Sequence, residues 1–425
     1  MGEMVTRNEQ VLIIGGGLSG LCCALRLHEA GVPIQVLEAS DSLGGRARTD
    51  DVDGFLLDRG FQVLSSAYPA VRRVLDLQAL DTRAFYPGAL VWYRDRFHRL
   101  ADPWRHPLHA LGSLASPITT MGDKVRIARL RRRLLREPLD AIFEHPESST
   151  LTSLQEAGFS RACLQRFWRP FLGGIFLESE LRTSSRMFEF VFRMFAEGDA
   201  LLPAGGMGAI ARQLARRLPE ESIRTRAPVA AVGKGGVSLV SGERVQGGTA
   251  VVATDGRSAA TLADELEPIP SRSVTCLYFD ADEPPLDEPI LVLNGELRGP
   301  VNNLCVPSAV CGSYAPDGRA LVSATVLGDP DQDDAGLEGS VRDQLGGWFG
   351  PAVKGWRHLR TYRIGHALPE QGPRGLELPE KSVRLRPGLY VCGDHRETAS
   401  IQGAMASGLR AAEAILTDRE SLPRR

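Results

Sequence analysis
The 425-residue chain lacks most of the features that would place it quickly in a specialised class. Its seven cysteines (Cys22, Cys23, Cys163, Cys276, Cys305, Cys311 and Cys392) are odd in number and include no C-x-x-C pair. That argues against a disulfide framework and against a thiolate metal site, and no metal is expected. No apolar run reaches the length needed to span a bilayer. Residues 1–10 are polar and carry no apolar core of a secretory signal, so a cytoplasmic location is expected. Neither sign of charge dominates: 50 Lys and Arg stand against 52 Asp and Glu, a net charge of −2. A basic footprint for nucleic acid is therefore missing, and no nucleic-acid partner is expected. Repeats and low-complexity linkers are also absent. What is left is a 43% apolar, 24% charged chain, ordinary for a globular protein and long enough for two or three domains.

Against this background one stretch stands out. Val11-Leu12-Ile13-Ile14 is a short β-branched run, as in a strand buried on both faces of a parallel sheet. Gly15-Gly16-Gly17-Leu18-Ser19-Gly20 follows it, and then an amphipathic helix over roughly 19–30 with Leu21, Ala24, Leu25 and Leu27 as apolar positions, closed by Gly31 and Pro33. Gly15 permits the tight turn, Gly17 lets the backbone approach a pyrophosphate, and Gly20 lets helix and strand pack closely. The helix N-terminus then faces the phosphates. Ile34 to Leu37 reads as the second strand, with Glu38 at its carboxyl end to accept hydrogen bonds from a ribose diol.

Similar signals recur twice more. Residues 203–257 open with Pro203-Ala204-Gly205-Gly206-Met207-Gly208 and a helix carrying Ile210, Leu214 and Leu218. They run through Ile223, Val229 and Val232 to a buried strand at Ala250 to Thr254. Residues 387–425 hold a strand ending in Gly393-Asp394 and a terminal helix. The fold expected is α/β: a Rossmann-like nucleotide-binding domain assembled from 1–65, 203–257 and 387–425, with an inserted α+β substrate domain from 66–202, mostly helical, and 258–386. The strand-like runs Ser273 to Phe279, Ile290 to Leu293 and Ala320 to Val326 are expected to give that domain a sheet.

The glycine motif, the run Glu38-Ala39-Ser40-Asp41-Ser42-Leu43-Gly44-Gly45-Arg46-Ala47-Arg48-Thr49, the stretch Leu57-Asp58-Arg59-Gly60 and the carboxyl-terminal Gly393-Asp394 and Ser400-Ile401-Gln402-Gly403-Ala404 resemble the flavin amine oxidase superfamily. That superfamily includes monoamine and polyamine oxidases, protoporphyrinogen oxidases and phytoene (carotenoid) desaturases. The resemblance implies noncovalent FAD. It places Gly15, Gly17, Leu18, Ser19 and Gly20 on the pyrophosphate, Glu38 and Ala39 at the adenosine ribose, and Gly45 and Arg46 along the pyrophosphate and ribityl chain. Val229 falls at the adenine, Gly393 and Asp394 at the ribityl phosphate, and Ile401, Gln402 and Ala404 at the helix N-terminus beside the flavin pyrimidine. Gly60, Phe61 and Gln62 fall beside the flavin.

Within the superfamily, Trp168-Arg169-Pro170-Phe171 through Phe176 and Tyr362-Arg363-Ile364-Gly365-His366 are similar to stretches of protoporphyrinogen oxidases and desaturases. Ser400 stands where amine oxidases usually carry an aromatic residue, and Phe61 and Gln62 replace small residues. These departures favour carbon–carbon desaturation of an apolar, isoprenoid- or tetrapyrrole-like substrate by hydride transfer to flavin N5, with oxygen or a quinone as electron acceptor. An FAD-dependent amine oxidase is the alternative, and a non-catalytic flavin- or lipid-binding protein the alternative of another class. No catalytic base is nominated firmly. His366 and Arg363 are candidates for facing the flavin, with a structural histidine as the competing role for His366. Arg169 is a candidate for a substrate carboxylate or for pairing inside the helical segment. Phe171 and Phe176, with Phe167, Trp168, Phe188, Phe190, Phe192 and Phe195, line an apolar tunnel or pack a core. Finally, Lys124, Arg126, Arg129, Arg131, Arg132, Arg133 and Arg136 follow an apolar stretch, so 108–137 is either a peripheral membrane contact or a solvated helix face.

Overall fold
The computed structural model describes residues 10–106, 116–376 and 380–421. Its first sheet has six strands in the order Ile223–Arg224, Ile34–Leu37, Val11–Ile14, Thr249–Val252, Leu389–Val391 and Arg384–Arg386. The first five run parallel and the last is an antiparallel edge. Val11, Leu12 and Ile13 are fully buried, as a central strand covered on both faces requires. The helix Leu18–Glu29 returns the chain across this sheet and packs on the terminal helix Ile401–Ser421. The two helices meet where Gly408 lies against Ser19: a Cβ on Gly408 would stand 2.1 Å from the Ser19 carbonyl oxygen. This is an α/β, Rossmann-like fold, drawn from three separated stretches of chain.

A second sheet has seven strands in the order Arg357–Pro369, Ser271–Ala281, Ala320–Leu327, Val301–Cys305, Leu291–Asn294, Gly88–Trp92 and Phe97–Ala101. All its pairs are antiparallel except Leu291–Asn294 with Gly88–Trp92. Helix Arg169–Phe176 packs on its strands Val301–Cys305, Leu291–Asn294 and Ala320–Leu327, and helices Met121–Arg136 and Ser185–Glu197 pack on each other in the helical cover beyond.

Three expectations change. Strand Arg384–Arg386, placed by the sequence in the inserted segment 258–386, belongs to the first sheet, because Pro387 and Gly388 (φ +76°) reverse the chain and pair it with Leu389–Val391. The segment 66–202 is not helical throughout: after the short helix Pro69–Val74 come three strands, Thr82–Ala84, Gly88–Trp92 and Phe97–Ala101, ahead of its longer helices. Leu218 lies beyond the end of helix Gly208–Ala215, although it is buried. Of the stretch 108–137, residues 108–115 lie outside the described residues. The remainder forms helix Met121–Arg136, capped by a reciprocal Thr120–Asp123 box. Among the described residues no helix is long and apolar enough to cross a membrane.

Asp58 ties the two sheets together. Its buried carboxylate accepts hydrogen bonds from the Thr49 hydroxyl (2.5 Å), the Met207 N–H (2.8 Å) and the Tyr314 hydroxyl (3.0 Å). Its carbonyl accepts from the Tyr278 hydroxyl at 2.7 Å. Tyr278 lies in the second sheet, and Met207 precedes a helix beside the first.

Candidate active site
Between the two sheets runs a cavity of about 830 Å³, within the size range of enclosed small-molecule sites. It has a polar arm along the carboxyl ends of the first sheet's parallel strands and an apolar arm reaching into the helical cover of the second.

The polar arm starts at helix Leu18–Glu29, whose N-terminus has no side-chain cap, so its first N–H groups are left for a ligand. The floor there carries no side chain, since Gly17 and Gly45 face each other and a Cβ on Gly45 would come 3.3 Å from the Gly17 Cα. Glu38, at the end of the second strand, is held by the Gly16 N–H at 2.6 Å and by Ser40 N–H and hydroxyl at 2.8 and 2.7 Å. Arg46 donates to Asp394 at 2.6 Å and to the Ala367 carbonyl at 2.9 Å, joining the cofactor loop to the last strand of the second sheet. A second helix N-terminus meets the cavity at Ile401, where the Ser400 hydroxyl caps the Gly403 N–H at 3.0 Å. Two helix N-termini, a floor without side chains and an acid at a strand end suit the two phosphates and the ribose of a dinucleotide.

Most of the sequence candidates line this cavity: Gly15, Gly17, Leu18, Ser19, Glu38, Ala39, Gly45, Arg46, Gly60, Phe61, Gln62, Val229, Gly393, Asp394, Ile401, Ala404, Phe171 and His366. Five candidates do not. Gly20 lies under the turn, where a Cβ would stand 2.0 Å from the Gly15 carbonyl oxygen, so it packs the helix rather than touching a ligand. Gln402 turns its side chain away and accepts from the Ala70 N–H at 2.8 Å, docking the short helix Pro69–Val74. Arg363 is spent on the loop 329–334, pairing with Asp329 at 2.7 Å and Asp334 at 2.8 Å, so it faces no cofactor. Arg169 donates to the Ser179 carbonyl at 2.8 Å and pairs with Glu180 at 3.2 Å, the internal role rather than the substrate role. Phe176 is 1% exposed and packs in the core with Trp168 and Phe188. His366 sits at an exposed edge of the cavity, where Nε2 accepts from Arg257 at 3.0 Å and one lone pair is thereby committed.

The apolar arm is lined by Phe171, Ile175, Leu177, Met187, Val191, Met194 and Phe195. Of the eight aromatic tunnel candidates only Phe171 and Phe195 reach it. Phe167, Trp168, Phe176, Phe188, Phe190 and Phe192 pack together instead. Tyr68 also lines the cavity; its hydroxyl has no partner among the described residues, and burial pushes its pKa up to about 12. Missed by sequence reasoning were Gly16, whose Cβ would meet Leu43 at 2.4 Å, and Thr254, Asp255 and Ser258 on the cavity wall.

His395, next to Asp394, is 2% exposed, and neither ring nitrogen has a partner among the described residues. Burial pushes its pKa down from the ordinary 6.5 to about 4, against the opposing pull of Asp394. The folded state therefore binds fewer protons than the unfolded chain between pH 6.5 and 4, and stability is lost on acidification through that window, by about 3 kcal/mol. Asp58, pushed up to about 6 by burial, and Glu397, pushed up to about 7 by burial, act in the opposite sense: folding gains as each takes its proton. The wild-type pH curve sums these with the other shifted carboxylates, such as Asp50, Asp123 and Asp255, so the variant isolates the histidine. His395→Leu should gain about 3 kcal/mol relative to wild type between pH 6.5 and 4 in denaturant titrations. A constant difference across that range would rule out an uncharged buried imidazole.

The family model described as Flavin containing amine oxidoreductase matches residues 18–416. Carotenoid 3,4-desaturase of Haloarcula japonica is 24% identical over 371 residues, covering 73% of this chain and 74% of that protein. Protoporphyrinogen oxidase 2 of Arabidopsis thaliana, chloroplastic/mitochondrial, is 23% identical over 167 residues, covering 39% of this chain and only 32% of that protein's length. Among solved structures, an oxidoreductase from Methanosarcina mazei superposes with a TM-score of 0.74 at 18% identity, covering 95% of this chain and 100% of the other.

Proposed function
The chain belongs to the flavin containing amine oxidoreductase family and is an FAD-dependent oxidoreductase, and on that premise we propose that it desaturates a carbon–carbon bond of an apolar substrate. The observation that carries this reading is the apolar arm, continuous with the cofactor cradle and built from Phe171, Ile175, Leu177, Met187, Val191, Met194 and Phe195. A protonated amine entering it would meet no carboxylate on these walls and would lose its hydration without return. Ser400, engaged in capping a helix, offers no aromatic face for an ammonium.

In desaturation a substrate carbon gives up a hydride and its neighbour a proton, leaving a double bond. FAD, when bound, supplies the two-electron acceptor at N5. The chain's own residues do the rest. The uncapped N–H groups at Leu18 and the Gly17–Gly45 floor would hold the phosphates, Glu38 the ribose and Val229 the adenine end. The N-terminus of helix Ile401–Ser421 brings partial positive charge to the cavity, where it would stabilise the charge of a reduced flavin. Phe171, Met187, Val191 and Met194 exclude water and fix the hydrocarbon by shape. Among the described residues no side chain of the apolar arm is a strong base, and water at the open side of the cavity takes up the proton. Oxygen or a quinone would be the electron acceptor.

Anaerobic mixing tests the reading. Isoprenoid polyenes or a porphyrinogen should bleach the bound flavin, and a panel of mono- and diamines should leave it oxidised. Bleaching by amines alone would install the amine-oxidase reading in its place.

A further inference from the structure
Besides Tyr68, a polar side chain from the second sheet breaks the apolar arm. Asn303 is 2% exposed, yet it lines the cavity beside helix Arg169–Phe176. Its placement is built by several features together. In the second sheet Val301 pairs with Val326 and Asn303 with Thr325, so Asn302 is the extra residue of a β-bulge, a device that re-aims side chains near sites. Asn302 Nδ2 lies 2.9 Å from the Pro170 carbonyl oxygen and 2.8 Å from Asn303 Oδ1. A carbonyl can only accept, so the Asn302 atom facing Pro170 is the nitrogen. Its second hydrogen points at Asn303, so the Asn303 atom there is the oxygen. Both amide orientations are fixed by this chain of logic. Asn303 Nδ2 is then left with two hydrogens and no partner among the described residues.

The helix above has been cleared to allow it. A Cβ on Gly174 would stand 2.8 Å from Asn303 Oδ1 and 3.3 Å from Asn302 Nδ2, and one on Gly173 would touch Asn302 Oδ1 at 3.4 Å. A buried amide donor facing an otherwise hydrocarbon wall is costly unless the ligand satisfies it.

We propose that Asn303 Nδ2 is the recognition donor for an acceptor oxygen, a carbonyl or hydroxyl, on an otherwise apolar substrate, and that Asn302 is its positioning residue. The substrate class is thus an oxygen-bearing apolar molecule rather than a pure hydrocarbon. This rests on the apolar-substrate reading above. A site built to hydrogen-bond an oxygen rejects the analogue lacking it, because its own buried donor is then left unpaired.

The test uses the FAD-loaded protein and two probes of one shape, geranylacetone and its analogue with C=CH₂ in place of C=O, titrated while the visible flavin spectrum is followed. Wild type should bind the ketone at least about tenfold more tightly than the analogue. Asn303→Asp, which keeps the shape but turns the donor into an acid, should lose that preference, and Asn303→Leu should reverse it. Asn302→Leu, which frees the amide to rotate, should bring the ratio toward one. A merely structural defect would weaken both probes together and leave the ratio alone, and an unchanged oxidised-flavin spectrum reports the intact fold. Equal binding of both probes by wild type, or an unchanged ratio in Asn303→Asp and Asn303→Leu, overturns the proposal alone. Failure of wild type to bind either probe overturns the apolar-substrate reading and the proposal with it.

Discussion
Gly17→Val should yield a soluble, folded and colourless protein. Gly17 sits at φ −73° and ψ 177°, a conformation open to any residue. A Cβ added there meets nothing nearer than the Gly45 Cα at 4.0 Å. The protein fold therefore gives no reason to require glycine; on the proposed reading the requirement comes from the pyrophosphate of FAD, which would approach that backbone. Affinity for FAD should fall at least about a hundredfold, equivalent to roughly 3 kcal/mol. Stability of the flavin-free protein should stay within about 0.5 kcal/mol of wild type. Gly20→Val is the contrasting control, because its Cβ would overlap the Gly15 carbonyl oxygen at 2.0 Å and force helix and strand apart. That variant should be destabilised by more than about 3 kcal/mol or fail to accumulate. Retention of FAD by Gly17→Val, measured by visible absorbance after gel filtration, would mean that the phosphates pass elsewhere.

The contrast between these two glycines also explains how much of the site was legible in the sequence. A dinucleotide turn is a local device: strand, turn, helix and acid lie within residues 11–38, and backbone geometry dictates each residue type. Such a device leaves its signature in consecutive residues, and the Rossmann-like sheet followed from it. The apolar run Ser273 to Phe279 likewise appeared as strand Ser271–Ala281, because a strand buried on both faces needs uninterrupted apolar residues. The edge strand Arg384–Arg386 did not appear, since three residues with two arginines carry no apolar pattern and pair only through a turn.

The substrate arm shows the opposite balance. Aromatic residues drew attention at Trp168, Phe176 and Phe188, yet large rings fill a helical core as readily as they line a tunnel, and composition does not say which. The signal that could have discriminated is periodicity. Met187, Val191, Met194 and Phe195 recur at i, i+4, i+7 and i+8 along helix Ser185–Glu197 and form one face, which turns toward the cavity. Arg363, a candidate for facing the flavin, and Arg169, open between a substrate carboxylate and internal pairing, are both taken up by ion pairs for a related reason. A cation is read from sequence as available, but whether Asp329, Asp334 or Glu180 already holds it depends on contacts made after folding. The Asn302–Asn303 pair lay beyond sequence reading because a β-bulge is a fact of pairing between strands.

Arg46→Ala should cost about 3 kcal/mol of stability in the flavin-free protein, near the lower end for breaking a buried ion pair. The two partners are unequally placed: the Arg46 side chain is 36% exposed toward the cavity, while Asp394 is 4% exposed. Removing the arginine strands a carboxylate that water hardly reaches, whereas removing the carboxylate leaves a guanidinium that the cavity can hydrate. Asp394→Asn alone should therefore cost less than about 1.5 kcal/mol, and adding it to Arg46→Ala should recover most of the loss. Recovery will not be complete, since Arg46 also donates to the Ala367 carbonyl and so holds the end of strand Arg357–Pro369 against the cofactor loop. Urea titrations of the two single variants and the double variant form the cycle. If the double variant is no more stable than Arg46→Ala, the stranded charge is not the cause and the link to Ala367 is. FAD affinity separates a second consequence, because Arg46 lines the polar arm, where its charge would offset the phosphates of bound FAD. The double variant should regain stability without regaining affinity, and that separation distinguishes an arginine that reads the cofactor from one that only holds the loop.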